Sequence, residues 1–150
     1  DGQVLASSSG DKTIKLWNLN TGQLFRTLEG HTEEMEGMTL TPDGQNLVSG
    51  DKDDTRQWSL RTGTLLGIFP KPSGLVRCLA ISPDGKFLAS GHMDKTVKIW
   101  DLKTSKLVKT LSGHSDWVLS LAFGPDSDGK TLISGGRDKT IKIWHLGGLD

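Results

Sequence analysis

Residues 83–101 read Pro-Asp-Gly-Lys-Phe-Leu-Ala-Ser-Gly-His-Met-Asp-Lys-Thr-Val-Lys-Ile-Trp-Asp. Two kinds of signal alternate in this stretch. Pro83-Asp84-Gly85 is a turn, because Pro pre-sets φ, Asp bonds its own backbone and Gly accepts a positive φ. Phe87–Ser90 is a short apolar run of strand length, broken by Gly91-His92-Met93-Asp94. Thr96–Trp100 is β-branched and alternating, the pattern of a strand with two distinct faces. Working outward, Leu75–Ser82 precedes the turn as another apolar strand. Leu107–Leu111 follows a turn at Leu102–Ser105 as a fourth. No stretch carries a helical period.

The same unit recurs along the whole chain. Asp-Gly pairs stand at Asp1-Gly2, Asp43-Gly44, Asp84-Gly85 and Asp128-Gly129, spaced 42, 41 and 44. Trp17, Trp58, Trp100 and Trp144 keep step, spaced 41, 42 and 44. Between them lie Leu5-Ala-Ser-Ser, Leu47-Val-Ser-Gly, Leu88-Ala-Ser-Gly and Leu132-Ile-Ser-Gly, and then Asp-x-Thr at Asp11, Asp53, Asp94 and Asp138. The repeat units run 1–42, 43–83, 84–127 and 128–150. Four short strands in about 42 residues is the arithmetic of a propeller blade. The predicted fold class is all-β, a partial β-propeller of four-stranded antiparallel blades.

Gly30-His31, Gly113-His114 and Trp100-Asp101 give the unit a further signature. It resembles the WD-repeat β-propeller family over residues 1–150. The second residue of the pair drifts to Asn18, Ser59 and His145 elsewhere. In that family each sequence repeat is offset from the structural blade. The resemblance therefore implies about 14 strands, grouped three, four, four and three. The first blade would lack its innermost strand and the last its outermost. A ring of 4–8 blades needs more, so further blades in a longer chain are expected, or association of two copies. The start at Asp1 rather than Met agrees with a piece of a longer protein.

His114, Ser134 and Asp138 could suggest a nucleophilic triad. Repetition argues against it: Ser, Asp and Trp recur four times, whereas a catalytic site needs one copy. The resemblance implies a structural tetrad instead, in which Trp donates to Ser, Ser to His, and His to Asp. Its members would be His114, Ser134, Asp138 and Trp144 in unit four and His31, Ser49, Asp53 and Trp58 in unit two. Unit three offers Ser90, Asp94 and Trp100, with Pro72 at the aligned His position and a more weakly held loop expected. Unit one offers Ser7, Asp11 and Trp17. Unit two is one residue short between Thr55 and Trp58, and such a change reverses every side chain beyond it. Either a bulge compensates or Trp58 leaves the tetrad.

Composition limits the chemistry. The chain has 150 residues, 18 basic and 18 acidic side chains and no net charge. That argues against nucleic acid or an anionic membrane as partner. No apolar run reaches the roughly 18 residues of a membrane span. One cysteine, Cys78, excludes an intrachain disulfide and fits a reducing, cytoplasmic setting; it sits in an apolar strand and reads as core. Glycine is in excess at 19 residues, as frequent turns require. No metal-ligand spacing, phosphate-cradling loop or cofactor motif is present. His92 and His145 read as isolated loop residues. Lys95, Lys98, Lys103, Lys106 and Lys109 are expected on outer strands and turns.

The expected function is a non-catalytic protein–protein interaction scaffold, with signalling proteins as the natural setting. The alternative is the recognition part of a larger signalling enzyme or ATPase. Family members bind protein or peptide partners on the top rim, next to the Gly-His and tetrad Asp positions. These are Ser115, Trp117 and Arg137 in blade four, Ser73, Leu75 and Met93 in blade three, and Thr32, Glu34 and Lys52 in blade two. Trp117 lies outside the tryptophan series, and Trp and Arg are favoured interface anchors. Unit one carries −3 charge against +1 for each other unit, with Glu33, Glu34 and Glu36 near one loop. A basic peptide would suit that surface.

Overall fold

The computed structural model describes residues 2–70, 74–125 and 129–148. Fourteen strands form four antiparallel sheets, and the described residues contain no helix. Sheet one holds β1 (Val4–Ser8), β2 (Ile14–Asn18) and β3 (Leu24–Leu28). Sheet two holds β4 (Met35–Leu40), β5 (Asn46–Asp51), β6 (Thr55–Ser59) and β7 (Leu65–Phe69). Sheet three holds β8 (Val76–Ile81), β9 (Phe87–His92), β10 (Thr96–Asp101) and β11 (Lys106–Ser112). Sheet four holds β12 (Val118–Phe123), β13 (Thr131–Gly136) and β14 (Ile141–His145). Within each sheet the strands lie in chain order, and β4, β8 and β12 run beside one another as the inner strands. This is a partial β-propeller with incomplete first and last blades.

Each blade is a meander because its turns carry the residues its backbone demands. Gly44, Gly85 and Gly129 of the Asp-Gly turns have φ of 67°, 71° and 63°, a region glycine enters without steric cost. Asp43 and Asp84 accept from the N–H two residues on, at 3.0 Å each, closing the turn from the side chain. The β2, β10 and β14 strands are each entered through an Asp-Lys-Thr turn whose lysine has positive φ: Lys12, Lys95 and Lys139. There the Asp accepts from both the Thr N–H and the Thr hydroxyl, and those bonds hold a backbone that a lysine seldom adopts.

The core lies between sheets, not within one. Every sheet has two apolar faces, because side chains alternate along a strand. One face carries the Leu–Trp cross-strand pairs Leu5–Trp17, Leu47–Trp58, Leu88–Trp100 and Leu132–Trp144. The opposite face carries a second set of apolar residues. In each of the first three sheets this second face packs on the Leu–Trp face of the next. Ile14, Leu16 and Leu28 meet Leu47 and Trp58; Val48 and Phe69 meet Leu88, Trp100 and Leu102; Ala89, Val97 and Ile99 meet Leu132 and Leu146, with Trp144 alongside.

The short unit keeps its register, by neither of the remedies anticipated from the sequence. Ser49 pairs with Arg56 and Leu47 with Trp58, matching Ser90 with Lys98 and Leu88 with Trp100. The irregularity between Gln57 and Trp58 against β7 has counterparts at Leu16/Trp17 and Ile99/Trp100, so it compensates nothing. The deletion falls in the β5–β6 turn, which closes with Asp51 N–H donating to the Asp54 carbonyl at 2.9 Å. This turn also lacks the positive-φ lysine of the other three. A turn absorbs one residue at little cost, whereas a strand would turn its apolar face outward.

Candidate binding rim and the relay beneath it

In blade four the tetrad residues meet. Trp144 Nε1–H donates to Ser134 Oγ at 2.8 Å, Ser134 Oγ lies 2.7 Å from His114 Nε2, and His114 Nδ1 lies 2.8 Å from Asp138 Oδ2. A carboxylate only accepts, so Nδ1 carries the proton and Nε2 accepts from the serine hydroxyl. Asp138 also accepts from the Ser115 N–H at 2.9 Å, which ties the loop entering β12 to the β13–β14 turn. Burial works against the Asp138 charge. The Thr140 hydroxyl, the Ser115 N–H and His114 outweigh it and hold the carboxyl below the usual carboxylate range. Ser134 is fully buried and its oxygen is bonded on both sides. That is the arrangement of a fastening; an attacking nucleophile must be reachable.

Blade two builds the relay with a different acid. Trp58 donates to Ser49 at 2.8 Å, and His31 Nε2 stands 2.6 Å from Ser49 Oγ. His31 Nδ1 bonds Asp51 at 2.8 Å, so Asp51 and not Asp53 closes this relay. Asp53 instead accepts from the Thr32 hydroxyl at 3.2 Å on the surface. Asp51 is buried, which raises its pKa, but the N–H groups of Asp54 and Asp53 and the His31 ring bring it below the ordinary value. Arg56 braces the same corner through both nitrogens facing Asp54 and through the Gly30 carbonyl.

Blade three replaces the histidine. Trp100 donates to Ser90 at 2.8 Å, and the Ser90 hydroxyl lies 2.7 Å from His92 Nε2. His92 Nδ1–H points to the Gly74 carbonyl at 3.3 Å. His92 is therefore not an isolated loop residue: it ends β9, fully buried, and does the work expected of a loop histidine. Burial, with Lys98 nearby, pushes its pKa down to about 4 against the opposing pull of Gly74 and Asp94. Lys98, expected on an outer strand or turn, is buried on β10 and ion-paired to Asp94 at 2.9 Å. Asp94 is lowered to about 2; burial raises it, and Thr96 and Lys98 outweigh that. Pro72 and Ser73 lie outside the described residues. In blade one Trp17 donates to Ser7 at 2.8 Å, while Asp11 is bonded to Thr13 and Lys15.

One position explains both exchanges. The residue two beyond the relay serine lies on the same face of the strand, and it is Ser9, Asp51, His92 or Gly136. A Cβ at Gly136 would stand 2.5 Å from His114 Nδ1 and 2.7 Å from Asp138 Oδ1. That space is filled from outside by His114 and Asp138 in blade four, by Asp51 in blade two and by His92 in blade three. The sequence clue was the same-face spacing Ser49/Asp51 and Ser90/His92, hidden by the stronger Asp-x-Thr alignment.

Above the relays lies the rim. Arg137 stacks its guanidinium over the Trp117 ring, 4.6 Å from the ring centre, and its N–H donates to the Trp117 carbonyl at 2.8 Å. Trp117 is half-buried and Arg137 exposed. In blade three the Met93 N–H donates to the Leu75 carbonyl at 3.0 Å, and both side chains are half-buried. Ser115, Thr32, Glu34 and Lys52 are exposed. Glu36 is engaged, 2.6 Å from Arg77 across β4 and β8. Cys78 packs beside the core between blades three and four, and burial pushes its thiol up to about 12.

Repeated antiparallel sheets of three or four strands, each fastened by a Trp–Ser bond and stacked through alternating faces, define the chain as a repeat-built propeller protein. Residues 1–18, 22–55, 63–101 and 105–145 match the family described as WD domain, G-beta repeat, and the chain belongs to it. It is similar to human WD repeat and SOCS box-containing protein 1, with 33% identity over 129 residues, covering 85% of this chain and 21% of that protein. It is also similar to nuclear distribution protein PAC1 of Arthroderma benhamiae, with 37% identity over 148 residues, covering 83% of this chain and 32% of that protein. The chain thus spans between a fifth and a third of the length of these curated relatives. Repeats of this family generally mediate protein–protein interaction.

Proposed function

We propose that these blades act as a non-catalytic scaffold that holds a protein or peptide on the rim formed by Trp117, Arg137, Ser115, Leu75, Met93, Glu34 and Lys52. The observation that carries this reading is the Arg137–Trp117 stack. It presents a flat cationic and aromatic surface that no blade core requires. Its stacked geometry costs little further side-chain entropy on binding. Glu34 and the neighbouring Glu33 favour a partner segment with a basic residue, and the absence of net charge on the chain weighs against nucleic acid. The single, unpaired Cys78 supports a cytoplasmic setting. The test is a peptide-display selection on the chain, followed by titration of the recovered peptides. Trp117→Ala with Arg137→Ala should weaken them at least tenfold while leaving the melting temperature within a few degrees. Unchanged affinity would refute the rim.

A second reading has a specific support. The human relative carries a SOCS box by name, and this chain matches only 21% of it. On that reading the blades are the recognition part of a larger signalling protein. A kinase, protease or nucleotide-binding motif in the same reading frame would establish it.

A further inference from the structure

The outer strands β3, β7 and β11 share one register. Leu28, Phe69 and Leu111 pair with Ile14, Thr55 and Val97, and Leu24, Leu65 and Leu107 pair with Trp17, Trp58 and Trp100. Between these fixed points β3 has Arg26 and Thr27 and β11 has Lys109 and Thr110, but β7 has Gly67 and Ile68. Among the described strands β7 pairs with β6 alone and forms the edge of sheet two. A cation on an edge strand guards it against further pairing. Leu65–Phe69 carries no charge, and Leu65, Leu66 and Ile68 are 42%, 53% and 49% exposed. Sheets one and three pack on either side of sheet two, so this edge belongs to an interior blade.

The surroundings of β7 are basic. Arg26 donates to the carbonyls of Thr62 and Arg61 at 2.6 and 3.2 Å, which ties the edge of blade one to the β6–β7 turn. Gly67, in the equivalent place, has no side chain to make such a tie. A Cβ there would stand 3.3 Å from Ser105 Oγ, so the β10–β11 turn lies beside β7. That turn exposes Lys103 and Lys106, and the β6–β7 turn exposes Arg61. The acid of these two turns, Asp101, is taken up by the Thr104 N–H and hydroxyl at 2.7 Å each. The edge is thus uncharged along its length and cationic around it.

We infer that β7 receives an extended segment of another protein as an added strand of blade two, one in which apolar residues alternate with Asp or Glu. Main-chain hydrogen bonds hold such a strand, and alternate side chains select it. Its apolar residues pair across the strands with Leu66 and Ile68. Its carboxylates meet Arg61, Lys103 and Lys106. This outer edge is a different surface from the rim at Trp117 and Arg137, and the inference does not rest on that rim.

The probe is a synthetic peptide alternating valine with glutamate, and its control alternates valine with lysine. By fluorescence anisotropy the acidic peptide should bind the chain at least tenfold more tightly than the basic one. Amide hydrogen exchange in Leu65–Phe69 should slow on binding. The same peptide N-methylated throughout has no N–H groups to pair and should not bind. Leu66→Thr with Ile68→Thr should weaken binding at least fivefold; both side chains are exposed, so no core is opened. Arg61→Glu with Lys106→Glu should reverse the preference between the two peptides. Trp117→Ala with Arg137→Ala should leave this binding unchanged, which separates the edge from the rim. An acidic peptide that fails to bind, that binds no better than the basic one, or that leaves exchange in β7 unslowed would overturn the inference. So would binding that survives the Leu66/Ile68 variant and is lost in the Trp117/Arg137 variant.

Discussion

His92 Nε2 lies 2.7 Å from Ser90 Oγ although the two residues are only two apart on one strand. The strand pleat makes this possible, because alternate side chains share a face. The histidine that elsewhere reaches in from a loop is here supplied by the strand itself. In blade three the serine thus meets its histidine within β9, and the ring's other nitrogen reaches the Gly74 carbonyl.

The neutrality of His92 makes stability sensitive to acid. Its folded pKa of about 4 lies below the ordinary 6.5, so between those values the unfolded chain binds more protons than the folded one. Stability from this group is complete above pH 6.5 and is lost as pH falls toward 4, on the order of 3 kcal/mol in all. Chemical denaturation at pH 7 and pH 4.5 should show the loss. His92→Gln, which cannot take up the proton, should lower stability at pH 7 but flatten the dependence over this window. An unchanged slope in that variant would reject the assignment.

The acid of blade two is Asp51. Asp51→Ala removes the partner of buried His31 and of the Asp53 and Asp54 N–H groups, and should cost about 2–3 kcal/mol. Asp53→Ala removes its bond to Thr32 but leaves the buried His31–Ser49–Trp58 relay in place, and should cost clearly less. Urea unfolding of the two variants side by side separates them. Equal losses would return the role to Asp53.

Gly136 is required by space rather than by backbone angle. Gly136→Ala would bring a methyl carbon to 2.5 Å from His114 Nδ1, so the histidine must move or the strand must shift. The expected cost is about 1–3 kcal/mol, read as a lower melting temperature. A Gly147→Ala control has open space around it and should be near neutral.

Cys78 should be inert in the folded chain. With its thiol pushed up to about 12 by burial, almost no thiolate exists at pH 8, and thiolate is the reactive form. Iodoacetamide at pH 8 should leave the native protein unmodified and label it fully in denaturant. Fast native labelling would contradict the packing described for β8.

Much of this was legible in the chain itself. The interval between Asp-Gly pairs and between tryptophans carried the blade count, because each blade needs one such turn and one such anchor. The three-four-four-three grouping came from the family resemblance, which implies that repeat and blade are offset. Blade four could be read residue by residue, since all four relay positions hold their expected types. Asp51 and His92 could not be read that way. Each belongs to the relay through a strand face, and a neighbouring Asp-x-Thr alignment pointed elsewhere.

The sequence alone determined periodicity, turn positions and which residues are apolar, because those depend on local backbone preference and the alternation of side chains. Tertiary structure decided where the deleted residue of unit two is absorbed, which acid reaches His31 and which histidine reaches Ser90. It also decided which of several equivalent isoleucines is covered. Ile99 and Ile143 hold the same register place, and one is buried while the other is open. The difference lies in whether another sheet stands opposite, and no local pattern contains that information.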